Sequence, residues 1–146
     1  MSASNAFETA LLSLIFENAN IANVGDATGL RGSTAAGSLY ISLHTADPGE
    51  AGAQNTSEAG YTSYARVAVA RSSASWTVAG NAVTNDAAID FPEATGGTAT
   101  VTHFGIGTDA SGAGTLLFSG PLTASLAVST GITPSFAASA MSVTAD

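Results

Sequence analysis

The sequence has neither cysteine nor lysine among its 146 residues. The absence of cysteine excludes a disulfide framework and any zinc site built from thiolates. The absence of lysine excludes a phosphate-binding P-loop, which needs a lysine to reach the terminal phosphates. Charge is scarce as well, since only 10% of residues are charged and three arginines stand against 11 acidic residues.

The net charge of −8 argues against direct binding of nucleic acid, because such binding depends on cations that neutralise the phosphate backbone. No apolar run approaches the ~18 residues that a membrane-spanning helix requires. The N-terminus also lacks the basic region of a signal peptide. We therefore expect a protein that is made in a host cytoplasm and binds neither nucleic acid nor membrane.

Small residues dominate the composition. Alanine, glycine, serine and threonine account for 82 of the 146 residues, whereas valine, isoleucine, leucine and phenylalanine together number 30. Burial contributes roughly 25 cal/mol per Å² of apolar surface, so a core made of such residues is thin. We expect the monomer to be marginally stable and to gain stability by association with copies of itself.

Residues 1–20 predict an N-terminal helical arm. Asn5 followed by Glu8 has the spacing of a capping box, with asparagine in the serine position. The apolar positions recur at helical spacing and are Phe7, Leu11, Leu12, Leu14, Ile15 and Phe16. This face is wider than a helix lying on a small sheet needs, so it either covers the core or docks in part on a partner.

After a loop-like stretch from 21 to 38, apolar residues alternate with polar ones, beginning with Leu39, Ile41 and Leu43. This alternation predicts a half-buried strand whose polar face, with Ser42 and His44, is open to solvent. Roughly eight short strands separated by turn residues, with 115–119 and 122–128 as two of them, predict a mainly β fold. We expect one domain over 1–146, with the arm at 1–20 and an antiparallel β-sandwich or barrel at 39–146. Trp76 is interpreted as a core or interface residue, with a sugar-stacking platform as the alternative.

Few residues have the pattern of a chemical site. The glycine-rich run from Gly105 to Gly114 lies between strand-like segments, which favours a hairpin turn over a nucleotide-binding loop. His44 and His103, with Asp47, supply the ingredients of a Ser-His-Asp triad or a metal site, but neither spacing supports one. The sequence therefore predicts no catalytic, cofactor-binding or metal-binding residues.

Several motifs together resemble a family of small virion proteins of tailed bacteriophages and prophages, often labelled tail-fibre-like, some of which are capsid decoration (cement) proteins. The segments that carry the resemblance are 39–48, 60–67, 89–96, 101–106, 114–120 and 131–138. The motifs contain no convergent acid–base pair. The resemblance implies a structural role in the virion and no enzymatic activity.

The sequence leaves three functions open, of which the first two follow from this resemblance and the third is a rival hypothesis. The first is a capsid decoration protein, trimeric, that binds the major capsid protein on the outer capsid surface and stabilises the shell through many linked contacts. The second is a tail-fibre or tail-tip component that binds a host surface. The third is a small hydrolase of cell-surface polymer.

The arginines Arg66 and Arg71 fall on one strand-like segment, 64–71. Each is expected to pair with a carboxylate, because the guanidinium fork suits bidentate pairing. The pair is either exposed on the surface or, for Arg66, formed with a carboxylate of a neighbouring copy or of the shell. The residues predicted to contact a partner are Phe7, Leu11, Leu12, Ile15, Phe16, Tyr61, Tyr64 and Arg66.

Overall fold

The computed structural model describes residues 3–21, 32 and 34–145. One helix and nine strands occur in this part of the chain. They are α1 (Asn5–Phe16), β1 (Ser38–His44), β2 (Val67–Ala70), β3 (Trp76–Ala79), β4 (Ala82–Asn85), β5 (Ile89–Asp90), β6 (Ala99–Gly107), β7 (Leu116–Val128), β8 (Ser135–Phe136) and β9 (Ser142–Thr144). Most of the predicted loop at 21–38 lies outside the described residues.

The prediction of a mainly β fold with an N-terminal helix is confirmed. Every strand pairing whose register is defined is antiparallel. The largest sheet has the order β2-β1-β6-β7 and is open, with β2 and β7 at its edges. It therefore does not close into a barrel.

The described residues fall into two compact units, each built from separated stretches of chain. The first unit comprises the described parts of 1–38, 70–88 and 136–146, and the second comprises 39–69 and 89–135. Both units contain residues from both halves of the sequence. The expectation of one domain over the whole chain stays a prediction.

In the first unit, α1 packs on the sheet β3-β4-β9. The helix is capped by Ser4 rather than Asn5, because the Ser4 hydroxyl accepts a hydrogen bond from the backbone N–H of Phe7. Leu12 and Phe16 are fully buried. The Phe16 ring meets Trp76 edge to face at 4.9 Å between centroids. Trp76 is thus a core residue, as predicted.

In the second unit, β1 lies inside the four-stranded sheet, paired with β6 from Tyr40↔Gly107 to His44↔His103. Leu39, Ile41 and Leu43 are buried as the alternation predicted. The opposite face was expected to be open to solvent, but Ser42 and His44 are fully buried too. The segment after β1 pairs with the end of this strand, where Thr45 and Ala59 form backbone hydrogen bonds with Ser57 and Leu43. The carbonyl of Thr56 in this segment contacts the His44 ring.

The predicted hairpin at 107–114 is confirmed, since it joins β6 to β7. Two other predictions were wrong in detail. The segments 115–119 and 122–128 were expected to be separate strands, but they form the single strand β7 with irregular register. The strand expected at 64–71 is shorter, and β2 begins only at Val67, which leaves Arg66 outside regular structure.

Candidate functional site

The largest polar cluster of the second unit is centred on Arg66. Its Nε donates to Oε1 of Glu58 at 2.7 Å and its Nη2 donates to Oε2 of the same carboxylate at 2.8 Å. The side chains of Arg66 and Glu58 are 2% and 16% exposed. The carboxylate that the sequence led us to expect therefore lies within the same chain, and the pair is buried rather than exposed on the surface.

Tyr64 extends this cluster. Its hydroxyl donates to Oε1 of Glu58 at 2.9 Å and accepts the backbone N–H of Leu43 at 3.0 Å. Burial raises the pKa of Tyr64, and the hydrogen bonds to Glu58 raise the pKa of Arg66. The phenol is therefore protonated and the guanidinium charged at any physiological pH. The Tyr61 ring packs edge to face on Tyr64 at 5.3 Å.

The remaining donors of Arg66 hold the turn between β6 and β7. Nη1 donates to the carbonyl of Asp109 at 2.8 Å, and Nη2 donates to the carbonyl of Gly112 at 2.6 Å. Residues 108–113 of this turn are exposed. A buried arginine thus holds an exposed, glycine-rich turn through two backbone carbonyls.

Gln54 anchors the same turn from a fully buried position. Its Nε2 donates to the carbonyl of Tyr40 and its Oε1 accepts the backbone N–H of Asp109, both at 3.1 Å. The amide lies against two glycines: a Cβ added at Gly107 would overlap the amide carbon, and one added at Gly114 would come within 2.5 Å of Oε1. These glycines are needed because they leave room for the Gln54 side chain.

His44 belongs to a separate buried pair. Its Nδ1 donates to the carbonyl of Thr56 at 2.8 Å, which fixes the tautomer and leaves Nε2 to accept the hydroxyl of Ser42 at 2.8 Å. Burial lowers the pKa of His44. Ser42 and His44 have the contacts of a nucleophile and its base, but both are 0% exposed. A substrate cannot reach this pair, so its geometry indicates a structural role in holding the segment after β1.

The structure brings the two histidines opposite each other, since His44 pairs with His103 across β1 and β6. The Asp47 carboxylate has a local backbone partner instead of a histidine: its Oδ1 accepts the backbone N–H of Gly49 at 2.9 Å. Within the described residues, no group of three histidine, aspartate or glutamate side chains is placed to hold a metal ion. No helix in the same part of the chain is long and apolar enough to cross a membrane.

Arg71 belongs to the first unit and has a different role. Its guanidinium donates to the carbonyls of Leu14, Ile15 and Ala36 at 2.7, 2.6 and 3.0 Å. In the part of the chain that the structure describes, Arg71 binds these backbone carbonyls and not the carboxylate that was expected. The carbonyls at the C-terminus of α1 attract the cation instead, because the last turn of a helix lacks internal donors and carries partial negative charge.

The helix residues predicted to contact a partner differ in exposure. Leu12 and Phe16 are 0% exposed in the core of their unit, Leu11 and Ile15 are half-buried, and Phe7 is 43% exposed. The side facing the core is thus Glu8, Leu12 and Phe16. The apolar side that remains accessible is centred on Phe7, and its contact with a partner stays a prediction.

Sequence reasoning did not find Glu58, Gln54 or Ser42. Glu58 and Gln54 are polar residues whose partners lie six or more residues away in the sequence. Ser42 lies on the polar face of a strand that was predicted to be half-buried. Arg66 was the one residue of this cluster that the sequence singled out. In a lysine-free chain with few cations, a buried arginine is expected to pair with a carboxylate.

No individually curated protein matches this chain. A family model described as podophage GP4 fiber I protein gp80 matches residues 2–144. The match covers nearly the whole chain and includes the Arg66 cluster, the Ser42–His44 pair and helix α1. The chain therefore belongs to the gp80 family of podophage GP4 fiber I proteins, a family of phage structural proteins.

Proposed function

We propose that this protein is a non-enzymatic subunit of a podophage fibre, present in the virion in several copies. The observation that carries the proposal is the match of residues 2–144 to a family described as a fibre protein. A fibre component was the second of the functions expected from the sequence, and the family description favours it over capsid decoration.

The buried polar groups support a structural role. Arg66, Gln54 and His44 all bind backbone atoms of loops that lie on the second unit. The hydrogen bonds of these side chains therefore hold loops in place and do not position a reacting group. The exposed turn at 108–113 is the best-anchored candidate for contact with another particle protein.

The partners proposed are further copies of this chain, in a trimer, and a neighbouring particle protein. A chain with a net charge of −8 and no lysine repels copies of itself unless the contacts are made by uncharged surfaces. The exposed Phe7 and the uncharged turn residues 110–113 are such surfaces. Many weak contacts of this kind gain strength when they are linked in one assembly.

Capsid decoration is the second candidate, with the major capsid protein as the partner on the outer capsid surface. The acidic composition favours it, because a negatively charged protein is repelled by the packaged genome and is accommodated on the outside of the shell. The two candidates place the protein at different sites of one particle.

Copy number and position distinguish them. Purified virions are labelled with gold-tagged antibody to this chain, and its copies per particle are quantified by mass spectrometry against the major capsid protein. Gold at the fibres with few copies per particle supports the fibre proposal. Gold spread over the head, with copies near those of the major capsid protein, would replace it with decoration.

The hydrolase hypothesis is tested with His44→Ala, His103→Ala and Asp47→Ala on purified protein and host cell-surface polymer. We expect no release of fragments by the unmodified chain. Release that the three substitutions abolish would contradict the non-enzymatic proposal.

A further inference from the structure

A cleft of about 390 Å³ lies in the second unit beside the edge strand β7. Its volume is in the range of small-molecule sites, about 300–1,000 Å³. One part of its lining is polar and another apolar. Its lining includes Asp47, Glu50, His103, Leu117 and Pro121.

Irregular pairing of β7 shapes the apolar wall. The register passes from Gly107↔Leu116 to Ile106↔Phe118 and so leaves Leu117 without a partner residue on β6. In a regular strand, neighbouring side chains point to opposite faces. Pro121 pairs with His103 and therefore lies on its face of the sheet, whereas Phe118 pairs with Ile106 and lies on the opposite face. The bulge at Leu117 lies beside the cleft, which backbone or side-chain atoms of residues 116–121 line.

The polar groups are positioned by local hydrogen bonds. Oδ1 of Asp47 accepts the backbone N–H of Gly49, where the chain turns with a φ of 70°. Nδ1 of His103 lies 2.9 Å from the Thr102 hydroxyl. These bonds use one oxygen of the carboxylate and one nitrogen of the imidazole. The second atom of each group remains available for a ligand in the cleft.

The lining selects the chemistry of a ligand. Two carboxylates, with no arginine in the lining, disfavour any anion. Carboxylates accept hydrogen bonds from hydroxyl groups, and leucine and proline pack against apolar C–H surface. A ring with hydroxyls at its edge and C–H groups on its face satisfies both walls.

We propose that this cleft binds a neutral pyranose unit of a surface glycan. The inference rests on the proposed fibre function and names the ligand class that such a subunit would recognise. Asp47 and Glu50 accept hydroxyl protons, His103 adds a further polar contact, and Leu117 with Pro121 packs on the sugar face.

The test uses the purified full-length chain and a panel of named probes. Saturation-transfer NMR is recorded with glucose, galactose, mannose and N-acetylglucosamine, with N-acetylneuraminic acid as the anionic probe and arginine amide as the cationic probe. Backbone NMR shifts then map any binding. We expect saturable binding of at least one neutral sugar, with shifts at 47–50 and 116–121 and none with the anion.

Variants make the assignment specific. The double variant Asp47→Asn, Glu50→Gln and the single variant Leu117→Ser should each weaken sugar binding at least tenfold. Glu93→Gln, an exposed acidic residue of the same unit that does not line the cleft, should leave it unchanged. No sugar binding, binding that maps elsewhere, or binding of arginine amide alone would overturn the proposal.

The labelling experiment tests the fibre proposal independently of the sugar-binding proposal. Gold labelling over the head, together with sugar binding at the cleft, would remove the fibre assignment and keep the site. Labelling at the fibres, together with no sugar binding, would remove the site alone.

Discussion

Arg66 and Glu58 form a two-point ion pair in which both N···O distances are below 3 Å, at 2.7 and 2.8 Å. The same guanidinium holds two carbonyls of the turn at 108–114. One arginine therefore joins the stretch before β2 to the β6–β7 hairpin, and its removal frees an exposed turn as well as a carboxylate that is largely shielded from solvent.

Breaking this pair is expected to be costly. Glu58→Gln leaves a buried guanidinium without its counter-charge, and such losses amount to about 3–5 kcal/mol of unfolding free energy. Arg66→Lys keeps the charge but loses the fork, so it should cost less. Urea unfolding measures both. Glu93→Gln, which alters an exposed carboxylate, is the matched control, and an equal effect of Glu58→Gln and Glu93→Gln would contradict the assignment.

Arg71→Ala should destabilise α1 specifically. Hydrogen bonds to charged groups contribute about 1.5–3 kcal/mol, and this residue makes three to backbone carbonyls, two of them in α1. We expect the substitution to accelerate amide hydrogen exchange in Asn5–Phe16 more than in β6. The structure therefore predicts a substantial role of Arg71 in stability, and unchanged exchange in the helix would refute it.

Stability should fall as the pH drops below neutrality because of His44. Its pKa is lowered by burial, so the unfolded chain takes up a proton near pH 6.5, its ordinary pKa, before the folded chain does. The unfolding free energy then declines from about pH 6.5 down to the folded-state pKa, by at most about 1.4 kcal/mol per pH unit for one group. His44→Gln should flatten this part of the profile, whereas His103→Gln, the matched control, should retain it.

Two glycines of one turn provide a matched pair. Gly112 and Gly114 both have positive φ, 76° and 54°, but a Cβ at Gly112 meets open space and one at Gly114 meets Oε1 of Gln54 at 2.5 Å. Both alanine variants carry a backbone cost of about 1 kcal/mol. Gly114→Ala should lose a further ~1–3 kcal/mol through overpacking. Equal midpoints of thermal unfolding would show that Gln54 does not fill this space.

Substitutions in α1 separate stability from association. Leu12→Ala removes a fully buried side chain and should cost about 2–5 kcal/mol. Phe7→Ser changes a residue that is 43% exposed and should alter stability by no more than about 0.5 kcal/mol. If Phe7 contacts a partner, this variant folds normally but sediments as a smaller species. An unchanged sedimentation coefficient would assign Phe7 no role in self-association.

The elements that depend on local patterns could be predicted from the amino-acid sequence alone. Apolar spacing located α1, alternation located β1, and the glycine-rich run located the β6–β7 hairpin, because these features reflect the helical and strand periods and the turn chemistry of adjacent residues. The lack of lysine and cysteine excluded whole classes of site, and the motifs along the chain indicated a phage structural protein.

Which polar residues contact each other could be learned only from the tertiary structure. His44 was expected on the polar face of a half-buried strand, but it is fully buried, with the Thr56 carbonyl and the Ser42 hydroxyl as partners of its ring. Arg66 pairs with Glu58 of the same chain, and Arg71 binds the C-terminal end of a helix that lies more than 50 residues away in the sequence. The apolar face of α1 was also divided differently, with Leu12 and Phe16 inside and Phe7 outside. Such pairings depend on contacts between distant segments, and a local pattern carries no information about them.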